Sequence, residues 1–395
     1  MNLADYRRAA RAWLQENAPH NDAQDDSQET DSVTRAKDFM ARLHDAGYSG
    51  ITWPRQWGGQ GLTQAEERAF AEEARDYALP TYVFSIGLGM TGPTLVDRGT
   101  DAQRERFVRP LLRGEEIWCQ LFSEPGAGSD VASLQTRAVR DGARGDQWIV
   151  NGQKVWTSVA HHADWGLLLA RTDVDVPKHQ GLTMFVVDMH HPGVTVRPLK
   201  DMSGRANFNE IFFDDVTIPD EHRVGEVNDG WSVAVTTLLH ERLSISAGVG
   251  MGGRRDHPAS VEALRRSVDT GDPLVRDQLV ELHIRTRALA LFNQRLAQET
   301  RAGIFPGARG SAAKLLLAEL TMFQADLATQ LVGPEAALAG HPLAQAISMA
   351  PGMALGGGTN EIMRNIVGER VLGLPPEPRV DKTVPFKDLK VGTQA

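Results

Sequence analysis

A single cysteine, Cys119, stands among the 395 residues, which excludes an intramolecular disulfide and a cysteine-rich metal site. It lies in the apolar run Ile117-Trp-Cys-Gln-Leu-Phe122, where a buried strand thiol is expected. Positive charge is in deficit: 42 Lys and Arg face 51 Asp and Glu, a formal net charge of -9. That argues against nucleic acid as the main partner but not against a small nucleotide-bearing molecule, which a few local basic groups can hold. No signal-like apolar run precedes Asp5-Tyr-Arg-Arg8, and no stretch reads as long and apolar enough to span a bilayer, so a cytoplasmic location is expected. The histidines are scattered, and His161-His162, His190-His191 and His240 lack metal-ligand spacing, so no metal site is expected.

What is present has the composition of a globular protein, 41% hydrophobic and 24% charged, and a length that calls for two or three domains. Residues 3–17 read as an amphipathic helix, 18–31 as a polar acidic loop, and helical spacing resumes from Val33 to Ala46. A turn-rich segment, Gly47–Leu62, leads to a helix over Gln64–Tyr77. Pro80–Val96, nearly uncharged and glycine-rich, predicts a buried helix, and Asp101–Leu112 a charged one. An all-helical domain over residues 1–116 follows.

From Ile117 the period changes to short β-branched and aromatic runs: 148–150, 155–156, 165–170, 182–187, 194–196 and 211–213. They predict a middle β domain, barrel or sandwich, over residues 117–228. Helices then return at Gly230–Gly250, Leu274–Thr300, Ser311–Val332 and Asn360–Leu372, a bundle over residues 229–395. In the third of these, Leu316, Leu320, Phe323, Leu327 and Leu331 form a core stripe by spacing. The fold class is α+β multidomain.

Two segments carry the chemistry. In Leu121-Phe-Ser-Glu-Pro-Gly-Ala-Gly-Ser-Asp-Val-Ala-Ser133, Pro125, Gly126 and Gly128 bend the chain and remove side chains, so backbone amides and the Ser123 and Ser129 hydroxyls can approach something flat or anionic. In Gly152-Gln-Lys-Val-Trp-Thr-Ser158, after an Asn151-Gly152 hairpin signal, strand alternation sets Trp156 and Ser158 on one face and Thr157 on the other.

Both segments resemble the middle-domain signatures of the acyl-CoA dehydrogenase family of flavoproteins, and the likeness extends over nearly the whole chain. The resemblance implies a cofactor, FAD, whose ring edge meets groups supplied by Phe122, Ser123, Thr157 and Ser158, with Trp156 packed on the ring and Gly128 a further cofactor contact. It makes Ser129 a contact for both the cofactor and the thioester's pantetheine arm. Gln330 and Gly333, in Gln330-Leu-Val-Gly333, with Thr359 and Glu361, resemble segments that reach FAD across a subunit interface. The family's Arg-x-x-Phe-Gly motif for the pyrophosphate is absent; Arg265 to Arg276 reads Arg-Arg-Ser-Val-Asp-Thr-Gly-Asp-Pro-Leu-Val-Arg.

Dehydrogenation beside a thioester carbonyl needs a positioned carboxylate and an electron acceptor. The family's usual glutamate is missing, its place taken by Gly357 in Leu355-Gly-Gly-Gly-Thr-Asn-Glu361. Other branches place the base in a Glu-Arg pair on the first long helix of the last domain, and this chain has Glu241-Arg242 there. Glu241 shares a helical face with Leu238, Ile245 and Gly248, where burial would raise its pKa as a general base requires; it could instead simply pair with an arginine. Glu361 is the rival carboxylate. Arg242 is either a contact for the anionic CoA portion or one member of an ion pair. Gly356–Gly358 either caps a helix or widens the pocket for a branched, cyclic or bulky acyl group.

The expected function is α,β-dehydrogenation of an acyl-CoA to a trans-2-enoyl-CoA, electrons leaving to an electron-transfer flavoprotein, in a homodimer or homotetramer. Two alternatives keep the fold: a flavin-dependent monooxygenase or oxidase, and a partner subunit of a hetero-oligomeric dehydrogenase.

Overall fold

The computed structural model describes residues 2–20, 29–142, 145–247, 257–302, 304, 307–379 and 381–389. The first domain packs α1 (Leu3–Asn17), α2 (Glu29–Asp45), α3 (Gln64–Glu73), α4 (Gly92–Arg98) and α5 (Asp101–Arg113). Tyr6, Ala10 and Leu14 give α1 its buried face, and capping boxes at Thr63/Glu66 and Thr100/Gln103 start α3 and α5.

Pro80–Val96 is helical from Tyr82 onward, as its composition suggests, but not uniformly α. A 3₁₀ turn at Tyr82–Phe84 and a π-turn at Gly87–Thr91 run without interruption into α4. The π-turn lies in close packing: a Cβ on Gly92 would lie 2.7 Å from both the Gly87 carbonyl oxygen and the Trp53 ring.

The middle domain is, among the described residues, an eight-stranded sheet: β1 (Trp118–Leu121), β2 (Arg137–Arg140), β3 (Gln147–Ser158), β4 (Trp165–Arg171), β5 (Leu182–Asp188), β6 (Val194–Leu199), β7 (Phe208–Pro219) and β8 (Arg223–Val224). The order is β6-β7-β3-β2-β4-β5-β8, with β1 also on β4. β1 pairs with β4 from Trp165 to Leu168, and β2 rejoins that edge at Arg171. Residues 122–136 are therefore an excursion out of one sheet edge.

Asn151-Gly152 is a bulge inside β3 rather than a hairpin turn. Asn151 exchanges two 2.9 Å hydrogen bonds with Asp215, and Gly152 passes so near Thr136 that a Cβ would lie 2.5 Å from its hydroxyl.

The last domain contains α6 (Gly230–Ala247), α7 (Val261–Ser267), α8 (Pro273–Arg301), α9 (Arg309–Val332), α10 (Pro342–Leu355) and α11 (Asn360–Arg370). The sequence pattern did not disclose α7 or α10, the latter with Pro351 inside it. The core stripe of α9 holds at Leu320 and Leu327, whereas Leu316 is exposed. By length and a mean hydropathy of 1.2, α9 could cross a membrane, contrary to the expectation that no stretch could. Here it packs against α6, α8, α10 and α11 and buries Lys314.

Beyond α11 the chain returns to the middle domain. Lys178 pairs with Asp381 at 2.5 Å, the Phe386 amide donates to the Val176 carbonyl at 2.8 Å, and the Arg171 guanidinium lies 3.7 Å above the Phe386 ring.

Candidate active site

The excursion between β1 and β2 builds a cradle. Glu124 and Ala127 exchange backbone hydrogen bonds of 3.0 Å across Pro125-Gly126, closing a tight turn. Beneath it the Glu124 carboxylate accepts from the amides of Gln135 and Thr136 and pairs with Lys154, itself fully buried, at 2.8 Å. Burial pushes the Glu124 carboxyl up, but the Lys154 ammonium and these donors outweigh it and hold it below its ordinary value. Lys154 also donates to the Phe122 carbonyl at 3.0 Å, and the Ser123 carbonyl accepts from the Val155 amide at 2.9 Å. The two signature segments are thus one hydrogen-bonded unit, and a cleft of about 280 Å³ opens between them.

The outer side of this unit is open. Cβ atoms on Gly126 or Gly128 would meet nothing within 4 Å, and Ser129 is exposed. A register shift between Lys154 and Thr157, with Trp156 in the left-handed region (φ 61°), turns the Trp156 ring outward to 61% exposure, edge-on to Phe208. A bulky residue held there costs about 1–3 kcal/mol, which the flanking sheet must offset. Ser158 is half-buried on the same stretch; Thr157 and Phe122 point inward and are buried.

The carboxylate site lies where β1, α6 and α9 converge. Strand alternation sends Cys119 and Leu121 into one core cluster and Trp118 and Phe122 into the other, so Gln120 faces α6. Its Nε2 donates to Glu241 Oε2 at 3.1 Å. Glu241 is 9% exposed. Burial raises its pKa above the ordinary carboxylate value, opposed by Gln120, Arg242 and Lys314. The buried face of α6 runs through Val233, Ala234, Thr237, Glu241 and Ser244, more polar than an apolar stripe; the side chain of Ile245 and all of Gly248 lie outside the described residues.

Lys314 donates to the Gly358 carbonyl at 2.6 Å, tying α9 to the glycine loop. Gly357 and Gly358 have φ of 67° and 89°. A side chain at 357 would therefore be strained, and at 358 its Cβ would lie 2.5 Å from Met363 Cε. Gln120 and Lys314 were not singled out from sequence. Their signal is a polar residue where the pattern of an apolar strand or helix calls for none.

The remaining candidates lie beside Glu241 on α6, at the start of α11 and at the far end of α9. Arg242 is partly buried, its Nε without a hydrogen-bond partner, and burial lowers its pKa against the pull of Glu241. Thr359 caps α11 by accepting from the Ile362 amide at 3.3 Å, and Glu361 stands exposed beside it, its side chain at 78%. Gln330 in the last turn of α9 and Gly333 capping it lie about 24 and about 28 Å along the helix axis from Lys314 at 1.5 Å per residue. The fold does not bring them to Glu241.

These placements suit a flat, polar cofactor with a thioester beside it. Buried polar atoms without a partner include Gln120 Oε1, Thr91 Oγ1, Ser311 Oγ and Asn360 Oδ1, all on elements around Glu241. Among the described residues, no three His, Cys, Asp or Glu side chains cluster to hold a metal.

Comparison with known proteins agrees with this architecture. Residues 3–115, 119–216 and 228–372 match the family models for the N-terminal, middle and C-terminal domains of acyl-CoA dehydrogenase. Acyl-CoA dehydrogenase FadE34 of Mycobacterium tuberculosis is 41% identical over 84% of this chain, and the match spans 45% of that relative's length. Acyl-CoA dehydrogenase IpdE1 of the same organism is 36% identical over 95% of this chain and 99% of its own. Among solved structures, the Tcur3481-Tcur3483 steroid ACAD superposes with a TM-score of 0.77 at 27% identity, covering 95% and 98% of the two chains. The ChsE4-ChsE5 complex from Mycobacterium tuberculosis gives 0.75 at 29%, covering 94% and 97%. With three consecutive domain matches and relatives above 30% identity along most of its length, the chain belongs to the acyl-CoA dehydrogenase family.

Proposed function

We propose that this chain is the base-bearing subunit of an FAD-dependent acyl-CoA dehydrogenase acting on a branched, polycyclic or otherwise bulky acyl thioester. The observation that carries the reading is Glu241, a buried carboxylate with a raised pKa at the junction of β1, α6 and α9. A base that accepts a proton and then keeps it needs such surroundings. Gly357 and Gly358, in left-handed backbone, remove the competing carboxylate position and leave no side chain beside the reacting carbons.

FAD, when bound, supplies the hydride acceptor for the β hydrogen. The residues suited to hold it are Ser123, Gly128, Ser129, Trp156 and Ser158 on the outer side of the cradle, with Phe122 and Thr157 behind them. Glu241 takes the α proton onto a carboxylate oxygen while the C–H electron pair stays with the thioester. Gln330, Gly333, Thr359 and Glu361 serve the cofactor of an adjoining subunit, which accounts for the distance of Gln330 and Gly333 from Glu241. Arg242 meets the anionic CoA portion.

An assembly is supported by α8, whose Val280, Ile284 and Leu291 lie on one helical face and are about half exposed. A partner of unlike sequence is supported by two comparisons: one structural neighbour is a complex of two named chains, and FadE34 is about twice as long as the region matched. The steroid designation of another neighbour supports a bulky acyl group. Electrons leave to a carrier of the electron-transfer flavoprotein kind.

Anaerobic titration with linear, branched and polycyclic acyl-CoAs, alone and with a co-expressed partner chain, tests the reading. Bulky thioesters are expected to bleach the flavin absorbance, and preference for short linear chains would refute the substrate class.

A further inference from the structure

The Glu241 carboxylate must be stable both before and after it receives a proton, and the groups around it are unevenly suited to that. Arg242 follows it on α6, and Lys314 faces it from α9. Arg370 on α11 acts on Arg242, and an Asp97–His240 pair spans α4 and α6 at 2.8 Å. The π-turn Gly87–Thr91 carries no titratable side chain, and Arg171 and Asp188 stand at the ends of β4 and β5. Of these charged groups Arg242 and Lys314 act on Glu241, and through space; the direct hydrogen bond to Glu241 comes from the neutral Gln120 amide on β1.

That amide has two ends. An ionised carboxylate only accepts hydrogen bonds, so the nitrogen faces Glu241. Gln120 Oε1 is buried with no partner. A buried unpaired acceptor is costly unless another state of the site uses it. Protonated Glu241 is such a state, because it gains one O–H donor.

We propose that Gln120 is a positioning residue for Glu241: its amide nitrogen holds the carboxylate before proton transfer, and its oxygen, after a turn of the terminal amide, accepts the O–H of the acid formed. The inference rests on the reading of Glu241 as the base. The balance is simple: one proton passes from the α carbon to a Glu241 oxygen, the electron pair remains on carbon, and Gln120 gains and loses nothing.

The test titrates the Glu241 carboxyl band by infrared difference spectroscopy in the holoenzyme without substrate, the band assigned by its loss in Glu241→Gln. Gln120→Met keeps the volume and removes the amide; Gln120→Glu keeps the shape and sets a second carboxylate against the first. Loss of the amide removes a stronger bond from the carboxylate and a weaker one from the acid, so the midpoint is expected to rise by about one pH unit, a tenfold gain in proton affinity. Gln120→Glu is expected to raise it further, and the acid limb of kcat/KM is expected to move with the band while KM changes little. Midpoints in both variants equal to wild type overturn the proposal, as does failure of both to fold with flavin bound, which makes Gln120 structural. Shifted midpoints in the variants beside a wild type that oxidises no thioester sink the functional reading and leave the Gln120 result standing.

Discussion

Glu241 lies in a region of the sequence where nothing in the local pattern marks catalysis; Glu-Arg pairs are ordinary in helices. Its candidacy arose because glycine occupies the alternative position at 357 and because the resemblance named a second place to look; what the structure adds is its burial and its bond to Gln120. Gln120 was not legible, since its contact joins residues 121 positions apart and strand alternation alone does not say which element a side chain will face. Two predictions belong here. Glu241→Gln keeps the fold and should lower kcat by about 10²–10⁴-fold, read by stopped-flow flavin reduction. The same substitution should also change the pH dependence of stability. A carboxyl whose folded pKa is raised binds its proton more tightly in the native state, so wild-type stability falls as pH rises from the ordinary glutamate value through the raised one. The melting temperature of Glu241→Gln minus that of wild type should therefore grow across that window. A gap independent of pH would show that burial does not tune this group.

Among the elements, those with a clear period were legible and those shaped by close approach were not. The amphipathic α1, the charged α5 and the apolar runs of β3, β4, β5 and β7 appear where their patterns put them. Asn151-Gly152 does not, being set by Thr136 against Gly152, and within Pro80–Val96 the pattern showed a helix but not its π-turn, where Trp53 packs against Gly92. The buried Lys154–Glu124 pair under the cradle was also silent, although it joins the two signature segments. Lys154→Met leaves Glu124 buried without its cation and should destabilise the protein by about 3–5 kcal/mol in chemical denaturation, with Glu124→Gln added to recover much of it. The returning segment after α11 lies beyond the region matched by the family and holds by Phe386 under Arg171 and by Asp381 on Lys178, which also grips Asp130 at 2.7 Å. Phe386→Ala should free it. Trypsin cleavage at Lys382, followed by intact mass, should accelerate on the order of a hundredfold, and an unchanged rate would mean the ring does not anchor the segment.

At the scale of the molecule, three domains place one carboxylate where the middle sheet meets the helical bundle, and place Gln330 and Gly333 at the far end of α9. The proposed reading assigns Gln330 and Gly333 to the cofactor of a second subunit. Ile284→Glu sets a charge in the exposed apolar face of α8 and should lower the assembly state in sedimentation while reducing bound flavin; dissociation with full flavin occupancy would place the cofactor within one chain. The account's central claim is that Glu241 removes the α proton of an acyl thioester. It is tested most directly with an acyl-CoA analogue bearing sulfur in place of the β methylene, which keeps an acidic α position and cannot give up hydride. Its α protons are followed by NMR as they exchange with deuterated water on the holoenzyme. The account predicts rapid exchange in wild type and a loss of about 10²–10⁴-fold in Glu241→Gln. Exchange at the same rate in both would contradict it.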